Sequence, residues 1–133
     1  MKIKMKNSEF IELFNGLAAV QKLKGVKFGL VVSKNVRIIQ NELDYLEDAS
    51  KPTEEFVALS VQINKLMNDK KDEEVKALEE KNAELIQERK NQLTELEKLM
   101  EEEAEIEFVN IPEDCLPADI SGEQIINIDK IIE

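Results

Sequence analysis

The side chains able to do chemistry in this 133-residue chain are few. There is no histidine. That removes Ser-His-Asp and Cys-His catalysis, the commonest general base, and imidazole-ligated metal sites. The single cysteine, Cys115, has no second thiol with which to share a zinc ion. As a nucleophile it would need a neighbouring base or a helix N-terminus, so it reads as a small hydrophobe. Carboxylates are abundant, and pairs four residues apart are unavoidable: Glu80/Glu84, Glu84/Glu88 and Glu97/Glu101. Acid–base or metal chemistry needs carboxylates converging from several elements. These lie on the outward side of one helix, a solvated face. The glycines, at positions 16, 25, 29 and 122, match neither GxGxxG nor GxxxxGK(S/T). The expectation is a protein without enzymatic activity, cofactor or metal.

Charge defines the other possible chemistry. Residues 1–71 carry 12 basic and 9 acidic side chains, net +3; residues 72–107 carry 5 and 14, net −9; residues 108–133 carry 1 and 6, net −5. The two halves should attract each other, within one chain or between chains. The overall −11 argues against direct nucleic-acid binding, which needs clustered Lys and Arg, and against an anionic membrane surface. Lys22, Lys24, Lys27, Lys34 and Arg37 gather around a helix junction and form a possible anion-binding group, although five cations in sixteen residues also make an ordinary surface. One thiol cannot form an internal disulfide. The opening MKIKMKNSEF lacks the apolar run of a signal peptide, and the longest apolar stretches are too short to span a bilayer. These features predict a soluble, cytoplasmic protein of one domain.

The elements that must position these groups centre on Asp72–Glu103. That stretch has no Gly, Pro or aromatic residue and consists almost wholly of strong helix formers. Val75, Leu78, Asn82, Leu85, Arg89, Leu93, Leu96 and Met100 step by 3, 4, 3, 4, 4, 3, 4, a heptad rhythm with a stutter near Arg89. The spacing predicts one coiled-coil-like helix over 72–103, about 48 Å long at 1.5 Å per residue. Polar Asn82 and Arg89 either fix register or partner number, or sit half exposed where the stripe drifts. The stripe needs another helix along it, supplied by the same chain or by a second copy.

The spacing also predicts a strand over 1–6 with Ile3 and Met5 on one face and Lys2, Lys4 and Lys6 on the other, followed by a helix over 8–24 that stops at Gly25. Gly16 inside that helix suggests close packing. Residues 27–48 carry Phe28, Val32, Val36, Ile39, Leu43 and Leu46 at steps of 4, 4, 3, 4, 3 and read as a helix, although VKFGLVVS is β-branched enough for a strand. A helix over 52–67 begins with Pro52 in its first turn. After the long helix, 105–111 alternates again, with an acidic polar face. Opposite charges across a strand pair contribute about 0.2–1 kcal/mol, so this strand is expected to pair with the first. Ser121 and Gln124 make a capping box for a last helix over 121–132. Its Ile125, Ile128 and Ile132 are possible partner-docking residues, because five isoleucines in eight residues will not stay in water. The fold class is therefore mainly α with a minor β component: antiparallel helices, one of them long, and a two-stranded ribbon joining the N-terminal and C-terminal strands.

This layout resembles small phage-encoded proteins of unassigned function from phages of Gram-positive bacteria. The likeness lies in a short basic start, a helix, a long Glu/Lys coil, the IEFVNIP segment at Ile106–Pro112, and LPADISGEQI at Leu116–Ile125 before a terminal helix. The resemblance brings no functional residues. It implies a small protein made in the host cytoplasm that binds something of the host's. The leading expectation is a homo-oligomeric inhibitor or sequestering protein acting on a host component, including a defence protein, with the acidic half imitating nucleic acid. Two alternatives stand beside it: a sponge for a small nucleotide immune signal, and a scaffold or assembly chaperone for virion parts.

Overall fold

The alternation at the start becomes strand β1 (Lys2–Lys6) in a computed structural model that describes residues 1–133. It pairs antiparallel with β2 (Glu103–Glu107), in the register Lys2↔Glu107, Ile3↔Ile106, Lys4↔Glu105, Met5↔Ala104 and Lys6↔Glu103. Every lysine thus stands opposite a glutamate. The ion pairs that form are diagonal: Lys4 reaches Glu103 at 3.4 Å and Lys6 reaches Glu101 at 2.8 Å, as the length of the lysine side chain permits. β2 begins two residues earlier than the alternation predicts and ends at Glu107. Beyond it, Phe108 exchanges backbone hydrogen bonds with Met1. Val109 instead gives its backbone groups to Asn35.

The architecture is the mainly helical one expected, with the terminal ribbon as its β component. The residues group into two compact units, Met1–Tyr45 with Leu99–Glu133, and Leu46–Lys98. In the first unit, helix α1 (Asn7–Val20) buries Phe10, Leu13, Leu17 and Val20. It stops four residues short of Lys24, because after the buried Val20 the chain tightens through a Leu23 N–H to Val20 carbonyl bond. Gly25 does not terminate α1. With φ of +127°, it opens the next helix, its carbonyl accepting from the Gly29 N–H. Only glycine adopts that backbone conformation without strain.

Helix α2 (Val26–Ser50) buries the whole expected stripe of Phe28, Val32, Val36, Ile39, Leu43 and Leu46, so VKFGLVVS is helical. Helix α6 (Gly122–Ile128) starts at the Ser121/Gln124 capping box and packs on α1. A Cβ at Gly16 would lie 3.0 Å from both Cβ and the carbonyl oxygen of Asn127, so the absent side chain sets this approach. The last helix does not reach Ile132. After Ile128 it tightens into a 3-10 turn (Asp129–Ile131), and Ile132 is extended beside Ile111. The backbone dictates the change: the Ile111 N–H donates to the Ile131 carbonyl at 2.8 Å, and the Glu133 N–H to the Ile111 carbonyl at 3.0 Å.

In the second unit, helix α3 (Glu54–Asn68) is capped by Thr53, whose hydroxyl accepts from the Phe56 N–H at 3.2 Å. Pro52 therefore precedes the cap instead of lying in the first turn. The expected single helix over 72–103 is two helices, α4 (Asp72–Lys81) and α5 (Ala83–Glu101). The break is at Asn82 (φ −112°, ψ 28°). Its side-chain amide donates to the Leu78 carbonyl at 2.9 Å, while its backbone N–H is shared between the carbonyls of Leu78 and Glu79. A short amide side chain competing for a helix carbonyl is the familiar way such residues disturb helices.

Candidate functional site

The former stripe of the long helix is where polar and apolar side chains converge. α2 ends at Ser50 with carbonyls that have no intrahelical donor, and side chains of α5 supply the donors. Arg89 donates to the Ser50 carbonyl at 2.9 Å and to Oε1 of Gln92 at 2.7 Å. Gln92 donates to the carbonyls of Ala49 and Lys51, both at 2.8 Å. The guanidinium also lies 5.8 Å from the centroid of the Phe56 ring, within cation–π range. Thr53, Phe56, Leu85, Glu88, Arg89 and Gln92 surround a cleft of about 200 Å³. With Arg89 and Gln92 donating to three backbone carbonyls, this constellation is a clamp on the α2–α3 corner.

This clamp alters the reading of the heptads. The inward residues are Val75, Leu78, Asn82, Leu85, Arg89, Gln92, Leu96 and Leu99, all buried or half-buried. Their steps of 3, 4, 3, 4, 3, 4, 3 contain no stutter. Leu93, placed in the stripe by its apolar character, is 41% exposed, and Gln92 occupies the inward position. Met100 is half-buried one place beyond Leu99. Arg89 anchors a neighbouring corner and Asn82 breaks the helix, so both polar positions act within the chain.

The remaining candidates divide. Lys22, Lys24, Lys27, Lys34 and Arg37 are all exposed, and none forms an ion pair. The isoleucine-rich end is turned largely inward. Ile128 and Ile131 are fully buried, Ile125 and Ile132 are half-buried, and only Ile126, at 70%, is well exposed. Ile128 therefore belongs to the chain's own core and is not a docking residue.

Two asparagines were invisible to apolar periodicity. Asn35 is fully buried and pairs with both backbone groups of Val109, accepting from its N–H at 2.9 Å and donating to its carbonyl at 2.8 Å. Asn7, equally buried, donates to the Leu99 carbonyl at 2.7 Å, and its backbone N–H donates to the Glu102 carbonyl. Near them, Glu9 accepts from the Lys6 N–H and meets Lys130 at 3.4 Å. The Lys6 backbone bond, followed by the Lys130 interaction, lowers the Glu9 carboxyl below its ordinary value. The hydrogen bond to Glu101 raises Lys6 above its own.

Of the 14 acidic side chains in residues 72–107, only Glu101 and Glu103 reach a cation. Glu84, Glu88 and Glu95 stand exposed along α5 on the flank opposite Leu93. No group of three or more His, Cys, Asp or Glu side chains is placed to hold a metal ion, and no helix is long and apolar enough to cross a membrane. No protein-family model matches the chain, and comparison with curated proteins and with solved structures finds no match.

Proposed function

We propose that this chain is a non-enzymatic binding protein that blocks or sequesters a host protein in the host cytoplasm, presenting carboxylates to a basic groove. The observation that carries the reading is the unpaired state of nearly all the carboxylates between Asp72 and Glu107. Carboxylates left without intramolecular cations keep their field for a partner and speed its association. The layout resemblance to small phage-encoded proteins supports a host target. The test is purification from host cells at low and high salt, comparing the native chain with Glu84→Gln/Glu88→Gln/Glu95→Gln. A stoichiometric protein partner is expected at low salt, reduced by high salt and by the triple substitution. Recovery of the bare chain at both salts overturns the proposal.

A second reading is favoured by one observation. From Leu13 to Asn41 there is no acidic residue, in a chain with 29 of them. Lys22, Lys24, Lys27, Lys34 and Arg37 all fall in that segment, which therefore offers an anionic small molecule such as a nucleotide cations and no carboxylate of its own. A bound mass of a few hundred daltons in native mass spectrometry, lost on Lys27→Glu/Lys34→Glu, would select this reading.

A further inference from the structure

One rotation step from its inward stripe, α5 carries a second regular line: Ala83, Ile86, Lys90, Leu93 and Glu97, at steps of 3, 4, 3, 4. This is again a heptad seam, about 21 Å long at 1.5 Å per residue. Ile86 is half-buried, Leu93 is 41% exposed, and Ala83, Lys90 and Glu97 are exposed. Nothing in the chain pairs with the charge of Lys90 or Glu97. The unit that contains this seam has a thin interior: its buried apolar residues are Leu46, Leu59 and Val75, and α5 buries none.

We propose that this flank of α5 is the contact through which two copies of the chain associate, antiparallel, about a two-fold axis near Leu93. The occupant follows from the charges. In a parallel pair, Lys90 would face Lys90 of the other copy, and Glu97 would face Glu97. In an antiparallel pair centred near Leu93, each Lys90 comes within reach of the other copy's Glu97, so the attraction is counted twice. An interface whose pattern complements itself under a two-fold rotation is what an isologous dimer requires. Leu93 meets Leu93 of the other copy at the axis, and the Lys90/Glu97 pairs on either side set orientation, as flanking charges do in coiled coils. Glu84, Glu88 and Glu95 lie on the other flank, so this contact leaves the acidic surface uncovered.

The test is sedimentation of the full chain over a range of concentrations, with circular dichroism confirming each variant's fold. The native chain is expected to dimerise. Lys90→Glu and Glu97→Lys should each weaken the dimer by about tenfold, two exposed pairs being exchanged for two repulsions. An equimolar mixture of the two variants should recover association, because in the mixed antiparallel pair each altered charge meets its opposite. Leu93→Asp should give a folded monomer. A native chain that stays monomeric, a dimer indifferent to Leu93→Asp, or a mixture no better than its components overturns the proposal.

Discussion

Asn35 shows how much a single buried polar residue can position. Its amide offers one acceptor and one donor in the spacing of a backbone unit, and Val109, just past β2, uses both. Asn35→Ala would strip the partners from an N–H and a carbonyl in one step, at a cost of about 1–3 kcal/mol. Urea unfolding should show a lower midpoint with an unchanged slope, and the amide of Val109 should lose protection from hydrogen exchange. An unchanged midpoint would mean that water replaces the side chain at no cost. Asn35 could not be read from the sequence because periodicity counts apolar residues. It lies beside Val36 on the buried face of α2, and only its distant partner explains it. Gly16 was legible in kind, as a site of close packing. That Asn127 is the neighbour was not legible.

The clamp on the α2–α3 corner belongs to the scale of elements. Arg89 and Gln92 cover three consecutive carbonyls, those of Ala49, Ser50 and Lys51. Lysine keeps the charge but not the planar guanidinium that lies near Phe56 while one of its terminal nitrogens serves both the Ser50 carbonyl and Gln92. Arg89→Lys should therefore destabilise the fold by about 1–2 kcal/mol, read as a lower thermal midpoint. A neutral result would assign the anchoring to Gln92 alone. The presence of the helices and the pairing of the two strands were legible because they rest on local periodicity and on a basic strand face matched to an acidic one. The register was not, because Glu103, which faces Lys6, was expected in the long helix. Nor was the inward position of Gln92 legible. Local pattern prefers Leu93, and the preference is reversed by carbonyls more than forty residues away that have no other donor. The break at Asn82 was hidden for a related reason. A heptad position records which way a residue faces, and says nothing of whether its amide turns back on the backbone.

At the scale of the molecule, charge sets the conditions under which the ribbon end of the first unit holds. The Glu9 carboxyl is lowered from its ordinary 4.5, chiefly by the Lys6 backbone N–H and then by Lys130. Its contribution is present above that value and is lost as pH falls through the lowered one. Lys6 is raised from 10.5, chiefly by its hydrogen bond to Glu101, so its contribution is complete below 10.5 and is lost as pH rises through the raised value. A carbon-13 titration of the Glu9 carboxyl should inflect below 4.5, and Glu9→Gln should flatten the acid limb of the stability profile. An inflection at or above 4.5 would show that the contacts to Lys6 and Lys130 do not persist in solution. The pairing of β1 with β2 also bears on the order in which the protein can be made. Leu46–Lys98 is contiguous, so its helices can assemble as they leave the ribosome. β1 is synthesised about a hundred residues before its partner. At translation speeds of 5–20 residues per second, it waits roughly 5–20 s with its backbone unpaired. Its three alternating lysines keep one face of that waiting strand charged, which discourages premature pairing with other chains.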